Sequence, residues 1–153
     1  MTIFEDIIFP PSEMTLLLPA YDAPGIVAYE PVWVNFDPKR KGTVQIDSIP
    51  ENRTFHFYDW VSYRFNSDGE AICTGLVEAS GYKTLRVSLW RVSFDPETEF
   101  ARAGIRRSLS KMGLDFEFDS KHGLVLAAIP PSYNLARLDA LKFRCPDLRF
   151  ELG

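Results

Sequence analysis

Sulfur and imidazole are scarce in this sequence. Its 153 residues hold two cysteines, Cys73 and Cys145, and two histidines, His56 and His122, standing far apart along the chain. No zinc-binding spacing can be written with them. Two cysteines also fall short of the disulfide frameworks that staple secreted domains, so a reducing compartment, the cytoplasm, is expected. No apolar run approaches the ~20 residues of a membrane span. Glu5 and Asp6 occupy the stretch where a signal peptide is basic. No glycine-rich loop leads into a helix to cradle phosphate. The expectation is therefore no metal, no cofactor and no membrane association.

Apolar side chains are plentiful by contrast. A hydrophobic fraction of 46% and an aromatic fraction of 14%, with twelve Phe, six Tyr and three Trp, belong to a folded globular chain. At this length one core, or two half-domains, can be stable without staples. The net charge of −4 is unevenly spread: residues 1–81 carry 5 Lys/Arg against 12 Asp/Glu, giving −7, and residues 82–153 carry 12 against 9, giving +3. An acidic half repels nucleic acid and speeds encounter with a basic protein.

Residues 1–81 read as short strands divided by turn chemistry. Met14–Leu18 ends at Pro19, and Pro24-Gly25 precedes Val32–Phe36, where Trp33 is assigned to core or barrel wall. Thr43–Asp47 alternates. Trp60–Phe65 and Ala71–Ala79 flank Asn66-Ser67-Asp68-Gly69 as a hairpin. Such a set predicts a small curved β-sheet or barrel.

Residues 82–153 follow a different grammar. Thr84–Trp90 alternates as a strand, and a helix follows with Asp95 as N-cap, Pro96 in its first turn, an apolar stripe of Ala101, Ile105, Leu109 and Met112, and Gly113 as its stop. Asp115–Asp119 and the unbroken run Leu124–Ile129 are strands, the second in mid-sheet. A second helix, capped by Ser132 or Asn134, buries Leu135, Leu138, Leu141 and Cys145, and Leu148, Phe150 and Leu152 alternate along a last strand. The fold class expected is α+β: an all-β half, 1–81, then a ferredoxin-like β-α-β-β-α-β half, 82–153, packed as one compact unit. The face turned away from the helices then carries Arg86, Trp90, Asp115, Glu117, Asp119, Arg149 and Glu151. Its acids, with Trp90 as the lone aromatic platform, argue against RNA binding.

For catalysis the available groups are His56, His122, Cys73 and Asp59. His56 lies between Phe55 and Phe57, His122 sits in a turn, and Cys73 reads as a small core filler, so no catalytic residue is assigned. Tyr58, Trp60 and Tyr82 neighbour turn residues and polar groups and are candidates for a rim or pocket.

Two segments carry a resemblance. Ile46-Asp47-Ser48-Ile49-Pro50 leads to Tyr58-Asp59-Trp60-Val61, and Ser80-Gly81-Tyr82-Lys83-Thr84-Leu85-Arg86-Val87 opens the second half. Together, from about Val32 onward, they resemble an uncharacterised bacterial domain-of-unknown-function family in which an Ile-Pro segment precedes a Gly-Asp-x-Val motif and a Ser-Gly-His-x-Thr-x-Arg motif. Tyr58 stands where that family has glycine and Tyr82 where it has histidine, which removes the motif's titratable group near neutral pH and weakens an enzymatic reading. The partner- or ligand-binding candidates are the aromatics Tyr58, Trp60 and Tyr82 together with Asp59, Thr84 and Arg86 of the two segments. In the structural reading, Gly81 permits a tight bend while Thr84 and Arg86 tie the halves together, with Asp59 as an ion-pair partner.

A small, acidic, cofactor-free and aromatic-rich chain suits a non-catalytic protein-binding protein. Its most concrete form is a bacterial immunity protein that neutralises a basic effector toxin by direct binding. The alternative is a small-molecule-binding regulatory domain with a pocket near Tyr82, Thr84 and Arg86. The sequence does not assign the oligomeric state.

Overall fold

A computed structural model of the chain describes residues 15–23, 26–88, 96–119, 123–145 and 148–153. They divide into two compact units, Met1–Ser80 and Gly81–Gly153. The class is α+β, built mainly of antiparallel strands.

In the first unit, β1 (Thr15–Ala23), β2 (Ile26–Asn35), β3 (Thr43–Ile46), β4 (Trp60–Phe65) and β5 (Ala71–Glu78) form a closed barrel in chain order. Sequential neighbours run antiparallel, and an odd number of alternating strands leaves β5 running in the direction of β1. The closing pair is accordingly parallel, at Leu16–Ala71 and Leu17–Ile72. Leu16, Leu18, Val32, Val34, Val44, Ile46, Val61, Ala71 and Cys73 fill the interior, joined by Phe55 from the loop between β3 and β4. Burying each large aliphatic chain here contributes roughly 1.5–3 kcal/mol.

The β1–β2 pair outruns the barrel. β2 meets β3 only at Val34–Ile46 and Asn35–Gln45 among the described pairings, whereas β1 and β2 stay paired from Thr15–Trp33 to Ala23–Ile26. Both strands pass through a proline: Pro19, where the sequence suggests a break, and Pro31, just before the expected strand start at Val32. The reason lies in which way the backbone points. The Trp33 N–H donates to Ser48 Oγ at 2.9 Å and its carbonyl accepts from the Asp47 N–H at 2.8 Å, so Trp33 faces away from β1. With period two, Pro31 and Tyr29 face away as well, and so does Pro19 opposite Tyr29. Neither proline is asked for a ladder hydrogen bond.

The same alternation decides between core and barrel wall for Trp33 in favour of the wall. Val32 and Val34 take the inner face, and Trp33 stands outside the barrel, 57% exposed.

In the second unit, β6 (Lys83–Ser88), α1 (Pro96–Lys111), β7 (Asp115–Asp119), β8 (Leu124–Ile129), α2 (Ala136–Arg144) and β9 (Arg149–Leu152) follow one another. The sheet order is β7-β8-β6-β9, with all neighbours antiparallel. Leu85, Val87, Val125, Ala127 and Ile129 form one core with Ile105, Leu109 and Met112 of α1 and Leu138 and Leu141 of α2, so both helices cover the same sheet face. Helix α1 stops in a Schellman motif: Gly113, at φ 72°, donates to the Ser110 carbonyl, and Leu114 donates to that of Leu109. Asn134 Oδ1 accepts the Ala136 N–H at 3.1 Å at the start of α2. Leu135, expected on the buried stripe, is 44% exposed, because Leu138 and Leu141 alone face the sheet. Cys145 is half-buried at the helix end. The expected roles of Trp90, Asp95 and His122 lie outside the described residues.

Candidate functional site

The candidates from the sequence fall into both units: Tyr58, Asp59 and Trp60 in the first, Tyr82, Thr84 and Arg86 in the second. Tyr58 and Asp59 end the long irregular connection 47–59, and Trp60 opens β4. Ser48, Ile49, Asn52, Phe55, Phe57 and Asp59 of that connection are buried.

Asp59 is 2% exposed, and both its oxygens hold backbone. Oδ2 accepts the His56 N–H at 2.9 Å, and Oδ1 accepts the Ser80 N–H at 2.8 Å. Ser80 Oγ donates in turn to the Phe57 carbonyl at 2.7 Å. The carboxylate thus ties the end of the loop to the end of the first unit, and charge-assisted bonds of this kind are among the stronger ones.

Tyr58 has φ 66°, which among the described residues no other non-glycine residue shares. The left-handed conformation completes a turn in which Asp59 N–H donates to the His56 carbonyl and Tyr58 N–H donates to that of Ile46. The Tyr58 ring lies stacked on Phe57, centroids 3.8 Å apart. Trp60 is roofed by the Arg40 guanidinium, 4.2 Å from its ring centroid, and Arg40 Nη2 pairs with Glu78 Oε2 at 2.8 Å. Tyr58 and Trp60 are therefore half-buried and engaged by their own unit.

The sequence passed over the loop's other anchor. Glu30 on β2 accepts the Glu51 N–H at 2.8 Å with Oε2 and the Asn52 N–H at 2.9 Å with Oε1. Asn52 Nδ2 donates to the Pro19 carbonyl at 2.7 Å, and its Oδ1 accepts the Thr54 N–H. Glu30 is separated from its partners by some twenty positions of chain, and no local pattern announces it.

On β6, Thr84 and Arg86 point to one face and are buried, 1% and 8% exposed. Thr84 exchanges backbone hydrogen bonds with Gly153, and Arg86 stands opposite Leu126 and Glu151. Tyr82 is half-buried beside Gly81, whose φ is 84° and where an added Cβ would lie 2.9 Å from Pro131 Cγ.

Two features bear on chemistry. Burial raises the pKa of the Cys73 thiol, against a smaller opposing effect of its backbone hydrogen bond with Gly75, which disfavours the thiolate a nucleophile needs. Among the described residues no group of His, Cys, Asp and Glu is arranged to hold a metal ion, and no helix is long and apolar enough to cross a membrane.

Exposed large apolar side chains of the first unit stand at Phe65, Leu76 and Val77 on β4 and β5 and on the outer wall of the β1–β2 pair. Leu17, Pro19, Tyr29, Pro31 and Trp33 share that face, with Tyr29 48% and Trp33 57% exposed.

No protein-family model matches the chain, and no curated protein does so. Among solved structures it is similar to a hypothetical protein from Neisseria gonorrhoeae, with 18% identity, 90% of this chain and 92% of that one covered, and a TM-score of 0.64. At that identity the likeness concerns the fold alone.

Proposed function

We propose that the chain is a non-catalytic protein-binding protein whose contact face is the outer wall of the β1–β2 pair, and that its partner is basic. In concrete form it is a cytoplasmic bacterial immunity protein that neutralises a cognate effector toxin by direct binding. The observation carrying this reading is Trp33, exposed to 57% while its N–H and carbonyl are both fixed by the 47–59 loop. An exposed Trp on a fixed backbone has only its own two side-chain torsions to order on binding, and Trp and Tyr dominate interface energetics. The −7 charge of residues 1–81 would steer a basic partner toward this unit. The same reading treats Tyr58, Asp59 and Trp60 as the scaffold behind the face.

For the second unit we propose a ferredoxin-like split unit, which the strand order β7-β8-β6-β9 around two helices supports. Kinship with the family of the Gly-Asp-x-Val motif belongs to the same proposal. A φ of 66° at Tyr58, where that family has glycine, favours it.

The test is capture from the source-cell lysate on immobilised protein, with the wild type beside a Trp33→Ala/Tyr29→Ala variant. Retention of one stoichiometric basic protein by the wild type, weakened about 30-fold or more in the variant as for an interface hot spot, is the expected result. Equal retention by both, or retention of no protein at either low or moderate salt, overturns the reading.

A further inference from the structure

Trp33 has an acid for a neighbour on the outer wall. Val34 lies opposite Ile46 and Asn35 opposite Gln45, and one step further the Asp47 N–H donates to the Trp33 carbonyl at 2.8 Å, so Asp47 lies opposite Trp33. Ile46 is buried on the inner face, and the alternation of side chains turns Asp47 outward beside Trp33, where both are exposed. Directly opposed residues on one face have Cβ atoms about 4.5–5.5 Å apart. An indole and a carboxylate therefore share one small patch of surface.

The same unit holds a second pair of this kind, and there the chain supplies its own cation. Trp60 on β4 lies opposite Glu78 on β5. The Arg40 guanidinium, reaching in from the turn between β2 and β3, lies over the Trp60 ring at 4.2 Å from its centroid, and Arg40 Nη2 donates to Glu78 Oε2 at 2.8 Å. One planar cation answers both members of the pair, the ring by cation–π attraction and the carboxylate by a charge-assisted hydrogen bond. Among the described residues no cation lies over the Trp33 ring or pairs with the Asp47 carboxylate.

We infer that Trp33 and Asp47 form a receptor for one arginine side chain of the protein partner, its guanidinium on the indole and hydrogen-bonded to the carboxylate. This rests on the outer wall of the β1–β2 pair being the contact face. Arginine suits the pair better than lysine, because a guanidinium is planar and weakly hydrated whereas an ammonium is a strongly hydrated point charge. The phosphates of a nucleic acid or a lipid would meet the Asp47 carboxylate and the −7 charge of residues 1–81. A second copy carries the same net charge of −4 and lacks the long-range attraction that brings a basic protein to this unit.

The experiment is an NMR titration of the full isotope-labelled chain with an acetylated, amidated glycine-arginine-glycine tripeptide, read at the Trp33 indole N–H, with the lysine counterpart for comparison. The arginine peptide should shift the signal saturably, and the lysine peptide should bind about threefold or more weakly. Asp47→Asn should weaken arginine-peptide binding by about twofold to fivefold, and Trp33→Ala should abolish the response at the Asp47 amide. Arg40→Ala, which uncovers Trp60 and Glu78, should add a second arginine-peptide site at the Trp60 indole. No shift at Trp33, equal binding of the two peptides, or binding indifferent to Asp47→Asn overturns the inference, as does a site at Trp60 in Arg40→Ala with none at Trp33. Self-association of the chain that Trp33→Ala dissolves also overturns it, by assigning the pair to a second copy. Partner capture separates this inference from the reading beneath it. If Asp47→Asn captures as the wild type does while Trp33→Ala/Tyr29→Ala does not, the wall stands and the arginine receptor falls; if every variant captures as the wild type does, both fall.

Discussion

Removing the Asp59 carboxylate tests whether the loop is held as described. In Asp59→Ala the His56 and Ser80 N–H groups, now 2.9 and 2.8 Å from its oxygens, lose their acceptors at once. An orphaned buried donor costs about 1–3 kcal/mol. Ser80 N–H lies at the end of the unit where water can partly replace the lost bond, so the sum falls at about 3 kcal/mol rather than at the upper bound. That is a large share of the 5–15 kcal/mol typical of a whole domain, and it corresponds to roughly 6–12 °C in Tm for a chain of this size. Asp59→Asn should recover only part of the loss, because one of its two positions becomes an NH2 group facing an N–H donor. Urea unfolding gives the free energy, and amide exchange at His56 and Ser80 gives the location. A loss below about 0.5 kcal/mol, the range of ordinary surface substitutions, with protection at both amides retained, would refute the clamp.

Three further outcomes follow from other positions. At Tyr58 the usual order of glycine and alanine should invert: both variants lose the stack on Phe57, but Tyr58→Gly should be more stable than Tyr58→Ala by about 1 kcal/mol in thermal unfolding, since φ 66° favours glycine. Gly81→Ala should destabilise by about 2 kcal/mol, from a positive φ and a Cβ 2.9 Å from Pro131 Cγ, and an unchanged Tm would contradict that close approach. Cys73 has a folded pKa raised above its ordinary 9.0, so the folded state holds the proton longer than the unfolded one. Stability should be complete below pH 9.0 and decline as pH rises from there toward the folded value, and the difference between wild type and Cys73→Ala in urea unfolding across that window isolates the thiol.

Local chemistry accounts for what the sequence made legible. The Asn66–Gly69 turn is written in four adjacent residues, and it forms with Asn66 Oδ1 accepting from Asp68 and Glu70 N–H. The stop at Gly113 and the stripe of Ile105, Leu109 and Met112 are likewise contained in one helix. Trp33 was not legible, because Val32-Trp33-Val34 is apolar on both faces and its inward side is chosen by Leu16 and Leu18 of another strand. The continuous β1 and β2 were not legible either, since a proline ends a strand only where its N–H is needed. That depends on a partner strand the local sequence does not name.

The candidate site shows the same division, and the division says something about how such a face is built. Tyr58-Asp59-Trp60 drew attention as aromatics around an acid, yet each is engaged within the first unit: by the turn and Phe57, by His56 and Ser80, and by Arg40. Glu30 and Asn52, polar residues without a motif, and Ser48 of the Ile-Pro segment hold the 47–59 loop against β1 and β2 through backbone groups. A loop pinned this way fixes both backbone groups of Trp33, so on binding only the side chain's own torsions remain to be ordered. If the wall of Leu17, Tyr29 and Trp33 is the working surface, then Ser48→Ala, which removes the acceptor of the Trp33 N–H, should weaken partner capture while leaving the contact face chemically intact. A Ser48→Ala protein that is folded and captures as the wild type does would show that the face works without the loop behind it.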